Sequence, residues 1–159
     1  MHMTQKIRCL VYAILLSQIA GAIGSIVIIP EIFGWYANLT KPWFTPPHWV
    51  FGPVWFLLYT LMGMAVFLIW EQRGKMYVRT ALILFMIQLG LNTLWSVFFF
   101  GMHDVGLALM GVILLWIMIT YTIRAFEKID RMAAWLLIPC LFWVSFATLL
   151  TYSIWSLNW

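Results

Sequence analysis

No Asp, Glu, Lys or Arg occurs in residues 9–30, 42–70, 80–103, 105–123 or 132–159. These five charge-free runs constrain the fold more than any other feature. Each supplies the ~20 residues that an α-helix needs to cross a hydrocarbon core. A charge at the centre of such a span costs roughly 2.5–3.5 kcal/mol even on a lenient insertion scale. Charged residues make up 9% of the chain and hydrophobic ones 65%, whereas a soluble domain carries about 25% charged residues. The ten-residue alternation of a membrane β-barrel is absent. The expectation is an all-α membrane protein, a single integral domain over residues 1–159. It is a five-transmembrane-helix bundle with helices at about 7–29, 46–70, 78–100, 105–124 and 132–156, and a lid loop at 31–45.

The basic residues give an orientation. Lys6 and Arg8 precede span one, Arg73, Lys75 and Arg79 follow span two, and Arg124, Lys128 and Arg131 follow span four; the opposite side holds only Lys41. The positive-inside rule places the N-terminus in the cytoplasm and the C-terminus outside. The same rule accounts for the excess of Lys and Arg, which lies in short loops and is no nucleic-acid footprint. Span one superficially reads as a signal peptide, with Ala20, Gly21 and Ala22 as a cleavage region. Its apolar run continues through Ile29, so it is read as a retained helix. Met1 and His2 read as an addition ahead of Met3.

Proline and small residues punctuate the spans. Pro30 is expected to stop span one, Thr45 to cap span two ahead of Pro46-Pro47, and Pro53 and Pro139 to kink their helices. Ser17, Gly21 and Ser25, with Ala20 and Gly24, form a small-residue stripe that lets a neighbouring helix approach closely. It is read as internal packing, with a dimer face as the alternative. Cys9 and Cys140 form no CxxC pair and suggest neither disulfide nor metal site. No internal repeat is present, and five spans do not divide into the inverted halves of common carriers.

A specific surface is built between Ile32 and Tyr59, where aromatic rings alternate with Pro42, Pro46, Pro47 and Pro53. Proline fixes its own φ and restricts the residue before it, so the loop is stiff. Of the eleven tryptophans, Trp35, Trp43, Trp49, Trp55, Trp95, Trp155 and Trp159 fall toward the outer side, and only Trp70 and Trp135 toward the inner. A plain interfacial belt loads both faces, so the bias points to an aromatic pocket near the outer face. At about 1.5 Å rise per residue, Trp55, Asn92 and Ala147 lie at one depth on three helices. Phe51, Trp55 and Tyr59 share one face. Gln88, Asn92, Trp95 and Phe99 share another, and Trp143, Ala147 and Leu150 a third. Gln88 and Asn92 must find partners inside the bundle. They either bridge helices and tie up backbone freed by proline, or line the pocket. No His, Asp or Glu lies mid-span, which argues against a proton-coupled carrier, an ion channel or a protein-ligated haem. Nor is there a Ser-His-Asp or Cys-His set, a phosphate loop or a carboxylate pair.

The ordered series Trp35-Tyr36, Leu39, Lys41-Pro42, Pro46-Pro47, Trp49, Phe51 and Pro53-Val54-Trp55 resembles the tryptophan-rich sensory protein/translocator protein family, also called the peripheral benzodiazepine receptor family. The likeness continues through Gln88-Leu89, Leu91-Asn92, Trp95, Phe98-Phe99, Pro139, Trp143, Phe146-Ala147-Thr148, Tyr152 and Trp155. The resemblance implies a five-helix bundle, often a homodimer. It also implies a membrane receptor or sensor for porphyrin (haem-type tetrapyrrole) and benzodiazepine- or isoquinoline-type ligands, with no obligatory cofactor. The site it implies comprises Tyr36, Trp43, Trp49, Phe51, Trp55, Gln88, Asn92, Trp95, Trp143, Ala147 and Leu150, with Tyr36 and Trp43 closing it. Trp55 and Trp143 resemble the paired rings linked to porphyrin binding and, in some members, to light-dependent porphyrin breakdown. Porphyrin degradation and tetrapyrrole or lipid transport are therefore the alternative activities, and membrane lipid is a further partner. The chain departs from the family pattern at Cys140 and Thr151. Ser156 stands where the family's sterol motif has arginine, which weakens the case for sterol binding.

Overall fold

The computed structural model describes residues 3–159; Met1 and His2 lie outside them. Five helices follow in order: α1 (Met3–Ile32), α2 (His48–Glu71), α3 (Val78–Ser96, continued by one π-helical turn, Val97–Gly101), α4 (Val105–Glu127) and α5 (Arg131–Asn158). Each is long and apolar enough to span a membrane, and no strand occurs among the described residues. Helices are the natural outcome in hydrocarbon, where every backbone N–H and C=O must be satisfied within its own segment. The helices pack as a ring in the order α1–α2–α5–α4–α3 and back to α1.

The helix ends follow from their sequences in two cases and correct the expectation in two others. Asp104 and Asp130 cap α4 and α5, accepting from Leu107 N–H at 2.8 Å and Ala133 N–H at 3.0 Å. Pro30 does not stop α1, which runs on to Ile32. So near the terminus, proline forfeits one hydrogen bond and only one more turn has to tolerate its ring. Thr45 does not cap α2. The helix begins at His48 with Pro47 at the N-cap position, and the Thr45 hydroxyl donates instead to the Pro42 carbonyl at 2.8 Å. The loop therefore covers residues 33–47.

Close fit holds the ring together. A Cβ on Gly63 would lie 2.5 Å from Ile14 Cα, and one on Gly21 would strike the Tyr59 ring. Those two glycines set the α1–α2 approach. Polar links supplement it. Gln18 donates to the Phe56 carbonyl and the Thr60 hydroxyl, Thr93 to the Ala20 carbonyl, and the Trp116 indole to Ser145 at 2.8 Å. Lys6 and Glu71 pair at 2.7 Å across α1 and α2. In the basic half the interior is filled by Ile69, Phe85, Ile119, Phe126 and Leu137, all fully buried, with Phe85 stacked on Phe126. The loop half is less completely filled, and the functional residues lie there.

The 33–47 loop is fastened near its start and at its middle. Trp35 stacks on His103 with centroids 4.4 Å apart, and His103 pairs with Glu31 at 3.1 Å. At the middle the Asn158 amide grips the backbone of Thr40 twice: Thr40 N–H donates to Asn158 Oδ1 and Asn158 Nδ2 donates to the Thr40 carbonyl, both at 2.9 Å. Lys41 turns inward, donating to the Ala37 and Leu39 carbonyls and lying 5.0 Å from the Tyr36 ring centroid. Asn158→Ala removes both hydrogen bonds to the loop, about 1 kcal/mol each, and a third to the Ile154 carbonyl within α5. Amide exchange in residues 33–47 is expected to speed up by about tenfold or more, with exchange in α3 and α4 unchanged. Unaltered exchange in the loop would show that the clasp does not hold it.

Candidate functional site

Beneath the loop, α2, α3 and α5 enclose a narrow recess of about 40 Å³. Its walls are Phe51 and Trp55 from α2, Trp95 from α3, Phe99 and Phe100 from the π turn, and Trp143, Phe146, Ala147 and Leu150 from α5; Ile28 and Ile32 of α1 close the side and Tyr36 the top. Across α2 and α5 the rings meet edge to face, as their quadrupoles favour. Trp55 and Trp143 lie 6.4 Å apart at 89°, Phe51 and Trp143 5.9 Å apart at 73°. The π turn inserts one residue into the end of α3, closed by Met102 N–H to the Val97 carbonyl at 2.8 Å. It brings Phe99 and Phe100 together at 4.8 Å, both buried beside Tyr36.

Two polar atoms on this largely apolar wall, which also carries Thr151, have no partner: the Tyr36 hydroxyl and the Trp95 indole nitrogen. An unsatisfied buried donor costs ~1–3 kcal/mol. Burial pushes the Tyr36 phenol up to about 12, so it stays neutral and able to donate at physiological pH. Together they offer two hydrogen-bond donors to an acceptor on a largely apolar guest.

A much larger space lies next door. Between α1 and α2, above the glycine crossing, a groove of about 880 Å³ opens laterally on the bundle surface. Gln18, Gly21 and Ser25 line it from α1, Trp49, Gly52, Trp55 and Phe56 from α2, and Asn92 and Ser96 from α3. It shares Ile28, Ile32, Phe51 and Trp55 with the recess, so Trp55 is wall to both.

Of the residues expected from sequence, Tyr36, Phe51, Trp55, Trp95, Trp143, Ala147 and Leu150 line the recess, and Trp49, Phe51, Trp55 and Asn92 line the groove. Trp43 and Gln88 line neither. Trp43 is 95% exposed and rests edge-on against Phe44. Gln88 is buried deeper, its amide nitrogen 3.8 Å from Met62 Sδ and its carbonyl oxygen without a partner. Sequence reasoning omitted the α1 wall and Asn158. The small residues Gly21 and Ser25 had been singled out for packing, and the space they leave beside α2 was the available signal.

Residues 13–156 match the TspO/MBR family model. The chain is 40% identical over 161 residues to the tryptophan-rich protein TspO of Chlorobaculum tepidum, covering 98% of this chain and 99% of that one. It is 40% identical over 125 residues to the tryptophan-rich sensory protein of Cereibacter sphaeroides, covering 79% and 77%. It is 39% identical over 139 residues to the human translocator protein, covering 86% and 82%. With five spanning helices and the match running from α1 nearly to the end of α5, the chain belongs to the TspO/MBR family of integral, multi-pass membrane proteins.

Proposed function

We propose that this protein is a membrane receptor or sensor for flat, largely apolar ligands of the porphyrin type, and for isoquinoline- and benzodiazepine-like molecules, held under the first loop. Family membership supports a sensor, receptor or transporter role. The observation that carries the ligand class is the groove of about 880 Å³ whose inner wall is Phe51 and Trp55. Ligand pockets commonly measure ~300–1,000 Å³, are mostly apolar and carry a few polar groups. The recess, at about 40 Å³, is too small for a tetrapyrrole. The macrocycle therefore lies in the groove against Trp55, and a smaller substituent enters the recess toward Tyr36 and Trp95.

A Cβ at Gly52 meets nothing within 4 Å, so Gly52→Trp fills the groove with little effect on the fold. Titrating protoporphyrin IX into purified protein is expected to quench tryptophan fluorescence saturably. The Gly52→Trp variant, at unchanged Tm, is expected to bind at least ~1.4 kcal/mol more weakly, a factor of ten. Quenching that never saturates, or equal affinity in the variant, would count against the reading.

The edge-to-face contact of Trp55 with Trp143 supports a second reading, in which the paired indoles take part in light-driven porphyrin breakdown. Illuminating the complex and following the porphyrin absorption band separates the two. A receptor loses the band at the same rate in wild type, Trp55→Phe and Trp143→Phe. Slower decay in the variants would favour the degradative activity.

The same proposal orients the chain with the Lys6, Arg73 and Arg124 end in the cytoplasm, on the positive-inside rule. A membrane-impermeant maleimide should label Lys75→Cys in inverted vesicles and Asn38→Cys in right-side-out cells. The reverse pattern would invert the topology.

A further inference from the structure

At the basic end of the bundle, far from the recess, two lipid-facing grooves flank one tryptophan. The first, about 580 Å³, runs between the end of α2 and the start of α3 along Trp70, Leu82, Ile83, Met86 and Ile87, with Arg73 and Arg79 at its mouth. The second, about 400 Å³, lies on the α1 side, along Tyr12, Leu16, Val66 and Phe67, and shares Trp70, Leu82 and Met86 with the first. From Arg79 to Ile87 the first groove descends about 12 Å along α3 at 1.5 Å per residue. That is most of the ~15 Å half-thickness of a hydrocarbon core.

The mouth is cationic. Arg73 and Arg79 are both exposed, and the Arg73 guanidinium lies 5.9 Å from the Trp70 ring centroid. Lys75 is drawn off to the Ile129 carbonyl. Arg79 sits in the first turn of α3, which has no side-chain cap, so the positive helix end adds to the same field. Trp70 is wall to both apolar grooves, and the first carries two guanidinium groups at its mouth. We propose that this site binds one anionic diacyl phospholipid, its phosphate at Arg73 and Arg79 and one acyl chain in each groove. The inference is independent of the porphyrin reading and uses none of its residues.

The test uses the full chain, delipidated in an uncharged detergent and titrated with dioleoyl phosphatidylglycerol or dioleoyl phosphatidylcholine, with bound lipid counted by native mass spectrometry. A surface arginine strengthens binding of an anionic lipid about fivefold, so the glycerol lipid is expected to bind about thirtyfold tighter. The Arg73→Gln/Arg79→Gln variant should lose that preference. Arg124→Gln/Arg131→Gln, which removes equal charge from the same end of the bundle, should keep it. Met86→Trp, which fills the shared wall, should weaken both lipids. Equal binding of the two lipids, a preference surviving in the Arg73/Arg79 variant, or equal losses in the two arginine pairs would overturn the proposal. So would displacement by millimolar inorganic phosphate, which would mark a free-anion site. Both arginine pairs are exposed, so these variants test binding without testing the core.

Discussion

Helices in a bilayer gain little by hiding apolar surface from one another, because lipid tails are as apolar as leucine. This bundle therefore depends on how closely its backbones approach, and the α1–α2 crossing decides that. Gly63 sits against Ile14 backbone and Gly21 against the Tyr59 ring. No side chain fits at Gly63 without pushing the helices apart, and none fits at Gly21 unless the Tyr59 ring moves. Toward the basic end α1 and α2 are tied by Lys6 and Glu71; toward the loop, Gly21 and Tyr59 of the crossing are already wall of the lateral groove. One tight contact thus produces both the joint and the opening.

The same bundle has two unlike halves. At the basic end large aliphatic and aromatic side chains fill the interior completely. At the loop end the filling is done by rings, which pack edge to face and leave a narrow recess. Rings also bring polar handles, and two of these, on Tyr36 and Trp95, stay unsatisfied. A wholly aliphatic lining would be more stable in isolation and would recognise nothing.

Much of this was legible in the chain. Charge placement alone located five spans, because ionised groups are excluded from hydrocarbon, and the structure has five spanning helices. The Asp104 and Asp130 caps went unread, although an acid ahead of an apolar run is a helix-start signal. What escaped depended on distance in sequence or on register. The Asn158 clasp joins residues 118 apart, and nothing local marks either partner. The π turn at Val97–Gly101 packs against both α1 and α4, and no local sequence signal marked it. Pro30 was misjudged because the penalty for an internal proline depends on how many helical residues follow it. Trp43 and Gln88 show that residue type does not give direction: one ring points outward on the loop, and one amide is spent in the packed interior.

The groove between α1 and α2 faces sideways. A ligand of the proposed kind would reach such an opening through the bilayer. Its activity at the protein would be set by how strongly it partitions into the surrounding lipid, so apparent affinity would be a joint property of protein and membrane. A hydrophobic molecule present at trace level in solution would be concentrated at this opening before any contact is made.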